Sequence, residues 1–137
     1  MTHVLYLLVR TDMASMNAGK GMAQASHASN AFVNEMSRQK GDNHRDFESF
    51  SEWEKETNQG FGTVLVLGVN EAQMNTAAIV MNDLGYVSNV VHDPTYPLVD
   101  GETVHFLPID TCSYIFVPNK EDDVTAAAVL GNFGLHP

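Results

Sequence analysis

The chain has 137 residues, a length suited to one domain that buries roughly two thirds of the surface its unfolded form exposes. Apolar residues make up 44% of it, and no apolar run approaches the roughly 18 residues of a membrane span, so a membrane protein is not expected. Seventeen acids against seven bases give a formal net charge of -10, which opposes long-range attraction to a polyanion and leaves any nucleic-acid role to a local patch.

The run Val4-Leu5-Tyr6-Leu7-Leu8-Val9 follows Met1-Thr2-His3 without a basic leader or a small-residue cleavage site. It reads as a first strand and not as a signal peptide. A lone Cys112 excludes an internal disulfide framework and fits a reducing compartment, so the cytoplasm is expected. Next comes a helix from near Gly19, with Met22, Ala25, Ser29, Phe32, Val33 and Met36 at helical spacing.

Residues 37 to 62 form a polar insertion with a short helix inside it, where Phe47, Phe50 and Trp53 share a face. Those aromatics suit docking on a core better than stacking on bases. Four of the seven bases, Arg38, Lys40, Arg45 and Lys55, cluster here. A second strand is expected over Thr63 to Val69 and a second long helix over Ala72 to Leu84, capped by Asn70 with Gln73 as reciprocal partner and ended at Gly85. Further strands are expected at Val87 to Val91 and at Ser113 to Val117. Between these, residues 94 to 110 form a loop with a small hairpin turning at Asp100-Gly101. A closing helix spans Asp122 to Leu130. Strands alternating with helices predict a three-layer α/β/α domain over residues 1–137, with a mixed, largely parallel four-stranded sheet.

Lys20, Gln24 and His27 stand at i, i+4 and i+7 on the first helix and share a face. Arg10 and Asp12 lie at the carboxyl end of the first strand, the end at which open α/β sheets bind ligands. A lysine among free N–H groups at a helix start suits a phosphate or a developing oxyanion. A solvated lysine and a satisfied histidine are the plainer alternative.

Other chemistries fit less well. Six histidines lack the spacing of metal ligands, and no G-x-S-x-G marks a nucleophile. Gly19-Lys20-Gly21 lacks the spaced glycine and the Ser or Thr of a phosphate-binding loop. His92 adjoins Asp93, but neighbouring strand residues point to opposite faces, which makes it a core or rim residue. Asp93-Pro94-Thr95-Tyr96-Pro97 has the makings of a rigid turn, which is compatible with a site.

The series Val9-Arg10-Thr11-Asp12-Met13, Met16, Gly19-Lys20, Ala23-Gln24 and His27-Ala28 resembles the opening signature of the second, archaeal and eukaryotic type of peptidyl-tRNA hydrolase. The resemblance continues through Val90-Val91-His92-Asp93, Thr95 and Tyr96, and Asp110-Thr111-Cys112-Ser113, over roughly three quarters of the chain by the family's αβ pattern. It implies hydrolysis of the ester between a peptide and tRNA, without a metal or other cofactor, and a homodimer. Carried over by position, Lys20 and Asp93 form the catalytic pair with Thr111 or Ser113 as helping hydroxyls. Arg10, Asp12, Gly19, Gln24, His27, Thr95 and Tyr96 then contact substrate. In this reading the attraction between Lys20 and Asp93 keeps both ionised. The chain departs from the pattern at Pro97, where the family has threonine, in the added stretch from about Leu98 to Asp110, and in its acidity. Those departures keep two alternatives open: a non-catalytic binding protein of the same fold, and an esterase or amidase for a small substrate.

Overall fold

The structure is a computed structural model that describes residues 2–38 and 46–137. The first apolar run forms strand β1 (Val4–Arg10), whose side chains alternate between two cores as the pleat requires. Leu5, Leu7 and Val9 pack on helices α1 (Ala18–Arg38) and α2 (Phe47–Glu54). Val4, Tyr6 and Leu8 pack on the opposite face, against α3 (Glu71–Asp83) and α4 (Val124–Leu130). The sheet is completed by β2 (Val64–Val69), β3 (Ser88–Asp100) and β4 (Thr103–Val117), in the order β2-β1-β4-β3.

The α/β class, the mixed four-stranded sheet and the helices on both faces are as the sequence predicts. The strand directions need a finer statement. β1 and β2 are parallel, whereas β4 lies between β1 and β3 and is antiparallel to both. Three strands therefore point one way, but only one neighbouring pair is parallel. The reason is local: β3 and β4 are joined by a tight turn with Gly101 at φ 62°, not by a crossover helix. The small hairpin expected on a separate loop is instead the outer half of these two strands, a continuous ribbon paired from Asp100↔Thr103 inward.

Local signals were good guides to the helices. Asn70 accepts from the Gln73 backbone N–H at 2.8 Å and Gln73 returns the bond at 2.9 Å, the reciprocal cap the sequence announces. Phe50 and Trp53 are buried against Phe32 of α1, Trp53 edge-on to that ring, and Trp53 Nε1 donates to the Thr63 carbonyl at 2.9 Å, so the aromatic face docks on the core. On α1 the buried residues are Gly21, Gln24, Ala28, Phe32 and Met36; of the expected stripe Phe32 and Met36 are in the core and Ala25 and Val33 pack against it, whereas Met22 is 69% exposed. The helix is rolled so that Gln24 faces inward. The part of the polar insertion at 39–45, with Lys40, His44 and Arg45, lies outside the described residues.

Candidate functional site

The carboxyl end of β1, the start of α1, the middle of β3 and the point at which β4 joins β1 meet at one end of the central sheet. Asn17 begins α1: its side-chain oxygen accepts from the Lys20 backbone N–H at 3.0 Å, a cap that places Lys20 in the first turn. Gln24 follows one turn later and is buried, while Lys20 is half-buried and His27 exposed.

Two irregularities in β3 and β4 turn the partners toward α1. Between Val91 and His92 the register slips, Val91 facing Cys112 and His92 facing Asp110, so Thr111 is the extra residue of a bulge. Thr111 and Cys112 consequently both reach α1: the Thr111 hydroxyl donates to Gln24 Oε1 at 2.5 Å and the Cys112 thiol to the Gln24 carbonyl at 3.3 Å. A second slip between Asp93 and Tyr96 leaves both of these residues buried, although three positions apart in a regular strand they would face opposite ways.

Asp93 is the focus of the resulting network. Its Oδ2 accepts from Gln24 Nε2 at 2.8 Å, and its Oδ1 accepts from the Thr95 N–H at 2.9 Å, the side-chain turn that Asp-Pro-Thr favours. The Thr95 hydroxyl stands 3.4 Å from the same oxygen. Burial pushes the Asp93 carboxyl up, but the bonds from Gln24 and Thr95 and the charge of His27 outweigh it and hold its pKa below the ordinary value. The carboxylate is therefore ionised without help from Lys20.

Lys20 is engaged elsewhere. Its ammonium donates to the Pro97 carbonyl at 2.8 Å and lies 5.1 Å from the centroid of the Tyr96 ring. The expected ion pair with Asp93 is replaced by these two neutral contacts, because the β3 bulge brings the Tyr96-Pro97 backbone to the helix start. The Tyr96 hydroxyl lies 2.9 Å from Ser15 Oγ, which pins the β1–α1 loop to β3.

Arg10 and Asp12 form a neighbouring cluster. Arg10 donates to Asp12 at 2.9 Å, to the Asp110 carbonyl at 3.0 Å and pairs with Glu71 at 2.8 Å, while Asp12 accepts from the Glu71 N–H at 3.0 Å at the start of α3. These bonds raise the Arg10 pKa and lower that of Asp12, the Arg10–Asp12 hydrogen bond being the largest influence on each. The guanidinium ties β1, β4 and α3 together, and its charge is matched by two carboxylates. Gly19 is exposed in the first turn, with room for a Cβ 3.6 Å from Asn17. Ser113 pairs with Leu8 and Val90, which pack in the α3-side core, so it lies on the other face of the sheet from Lys20, Gln24 and Asp93.

Ser15, Asn17 and the Pro97 carbonyl join the site without having been singled out in the sequence. An asparagine three residues before Lys20 is a readable cap signal; Ser15 and a backbone carbonyl carry none. Among the described residues, no three His, Cys, Asp or Glu side chains converge as metal ligands, and no helix is long and apolar enough to cross a membrane.

A family model described as peptidyl-tRNA hydrolase PTH2 matches residues 3–130, which includes every residue of the Lys20, Gln24, Asp93 and Thr111 constellation. Among curated proteins, none matches the chain.

Proposed function

The chain belongs to the peptidyl-tRNA hydrolase PTH2 family, an ester hydrolase family acting on peptidyl-tRNA, and from that premise we propose a metal-independent mechanism in which Asp93 orients the attacking water and Lys20 stabilises the oxyanion. One observation carries the assignment: a buried, ionised carboxylate and a half-buried ammonium are held at the same end of the sheet without neutralising each other.

Asp93 accepts one bond on Oδ2, from Gln24, and two on Oδ1, from the Thr95 N–H and hydroxyl, which leaves a lone pair on Oδ2 to accept from a water. Its low pKa favours orienting that water and stabilising positive charge as the water attacks over removing a proton outright. Lys20 gives one N–H to Pro97 and has two more for the developing oxyanion. Water attacks the ester carbonyl, and the tetrahedral intermediate then expels the ribose oxygen. The water's proton ends on that oxygen, leaving a free peptide and a tRNA with its terminal hydroxyl restored. Such a reaction recycles tRNA and belongs in the cytoplasm.

The surroundings favour a macromolecular substrate over a small one. Thr95 and His27 are exposed beside the buried network, so the site opens onto the surface. With Arg10 matched by Asp12 and Glu71, Lys20 and, when protonated, His27 are the cationic groups beside this network among the described residues. We assign Thr111 to the Gln24 contact, Thr95 to Asp93, and Gly19 to the exposed first turn, where a substrate phosphate meets free N–H groups. The whole chain acts as one catalytic domain in this reading, and a homodimer is part of it.

The test is release of the labelled aminoacyl group from N-blocked aminoacyl-tRNA by the wild type, Lys20→Ala and Asp93→Asn at low and moderate salt. Turnover by the wild type that falls by about a hundredfold or more in both variants supports the pair. Turnover that survives Lys20→Ala removes the mechanism, and a folded wild type without turnover removes the activity.

A further inference from the structure

Resting on that reading of Lys20 as the oxyanion group, we propose that Tyr96 is a positioning residue that acts through Lys20: the face of its ring and the adjoining Pro97 carbonyl hold the ammonium in place, and Ser15 holds the ring. Four contacts converge on this. The ammonium lies 5.1 Å from the ring centroid and 2.8 Å from the Pro97 oxygen. The tyrosine is fully buried, its hydroxyl 2.9 Å from Ser15 Oγ and 4.0 Å from Met16 Sδ.

The chemistry explains why a ring suits this place. Lysine has a flexible four-carbon stem, and an unanchored ammonium samples many positions. An anchoring carboxylate would fix it but also cancel the charge that a tetrahedral oxyanion needs. A ring quadrupole and a carbonyl dipole attract the ammonium without a formal negative charge, so the cation is located yet stays available. Asp93 faces α1 by alternation with Val91, and the slip that follows it in β3 brings Tyr96 to the same side, so that one short segment sets both members of the pair. Position 97, where the resembling family has a threonine side chain, contributes a backbone oxygen here.

The test replaces Tyr96 with phenylalanine and with its mono-, di- and trifluorinated analogues, which keep the shape of the ring while draining its quadrupole. Two readouts are taken on each folded protein: kcat and KM on N-blocked aminoacyl-tRNA, and the ε-methylene proton shifts of Lys20, assigned by their loss in Lys20→Arg. The expected result is a kcat that falls stepwise with fluorination, by about threefold to thirtyfold across the series, with KM unchanged. The Lys20 ε-methylene protons are expected upfield of those of Lys55 and Lys120, and to move back when Tyr96 is replaced by leucine. A flat kcat across the series, in an enzyme that Lys20→Ala impairs, overturns the proposal. So does an unshifted Lys20 resonance, even if the wild type hydrolyses no tRNA ester; inactivity of the wild type with the resonance shifted counts against the hydrolytic mechanism and not against the ring contact.

Discussion

Gln24 donates its side-chain amide to Asp93 at 2.8 Å, a bond between residues 69 positions apart that orients the buried carboxylate from the middle of one helix. Because the other end of the amide accepts from Thr111, the direction of the chain is set: hydroxyl to carbonyl, then N–H to carboxylate. The carboxylate at its end can only accept.

Gln24→Leu keeps most of the volume and removes both bonds. Two buried polar groups, the Asp93 Oδ2 and the Thr111 hydroxyl, then lose their partner, at a cost of about 1–3 kcal/mol read by urea unfolding. The acid limb of kcat/KM is also expected to move to higher pH, since one of the bonds that lower the Asp93 pKa is gone while Thr95, His27 and the Cys112 thiol still face it. A stability loss without that displacement would reduce Gln24 to a packing role.

The same carboxylate links stability to pH. Its folded pKa lies below the ordinary aspartate value of about 3.9, so its contribution is complete above that value and is lost as pH falls through the folded pKa. Above pH 5 or so, on the scale of that ordinary value, Asp93→Asn is expected to be less stable than the wild type, because the amide NH2 is itself a donor and must face either the Gln24 or the Thr95 donor. Below it the two should converge. Denaturant unfolding of both proteins across the acid range checks the sign; a gap that widens on acidification would contradict it.

Arg10 and Lys20 separate by their effects. Arg10→Met retains the apolar stem and removes bonds to Asp12, Glu71 and the Asp110 carbonyl, and is expected to cost about 2 kcal/mol of stability with kcat little changed. Lys20→Ala should do the reverse, lowering kcat in a protein of near wild-type stability. Thermal melts and steady-state kinetics on both decide it. A large kcat loss in a folded Arg10→Met protein would instead place the guanidinium on the substrate.

Gly62 has no special backbone angle but no room for a side chain. A Cβ there would stand 2.5 Å from the Trp53 backbone oxygen and 2.5 Å from its Cδ1. Gly62→Ala must shift α2 or the entry to β2, at about 1–3 kcal/mol. Trp53 is the sole tryptophan, so an altered native emission with an earlier unfolding midpoint is the expected signature.

Periodicity and end signals are short-range, which is why they could be read from the chain directly. The continuous apolar run before Arg10, the Asn70/Gln73 reciprocal cap and the Phe47, Phe50 and Trp53 stripe each depend on residues within one or two turns, and each element stands where the pattern puts it. The same holds for Lys20, Gln24 and His27 on one face of α1, whose spacing is a property of the helix. Their partners are a different matter. Whether Lys20 meets Asp93 or Pro97, whether Arg10 is open or matched by Glu71, and on which face Ser113 falls all depend on strand order and on two register slips in β3 and β4. A slip of one residue reverses the side-chain faces beyond it, and nothing in the alternation of Val90 to Tyr96 marks where it occurs. It is the packing of the ribbon against α1, across some seventy positions of chain, that brings Asp93 and Tyr96 to the same side and so sets the chemistry of the site.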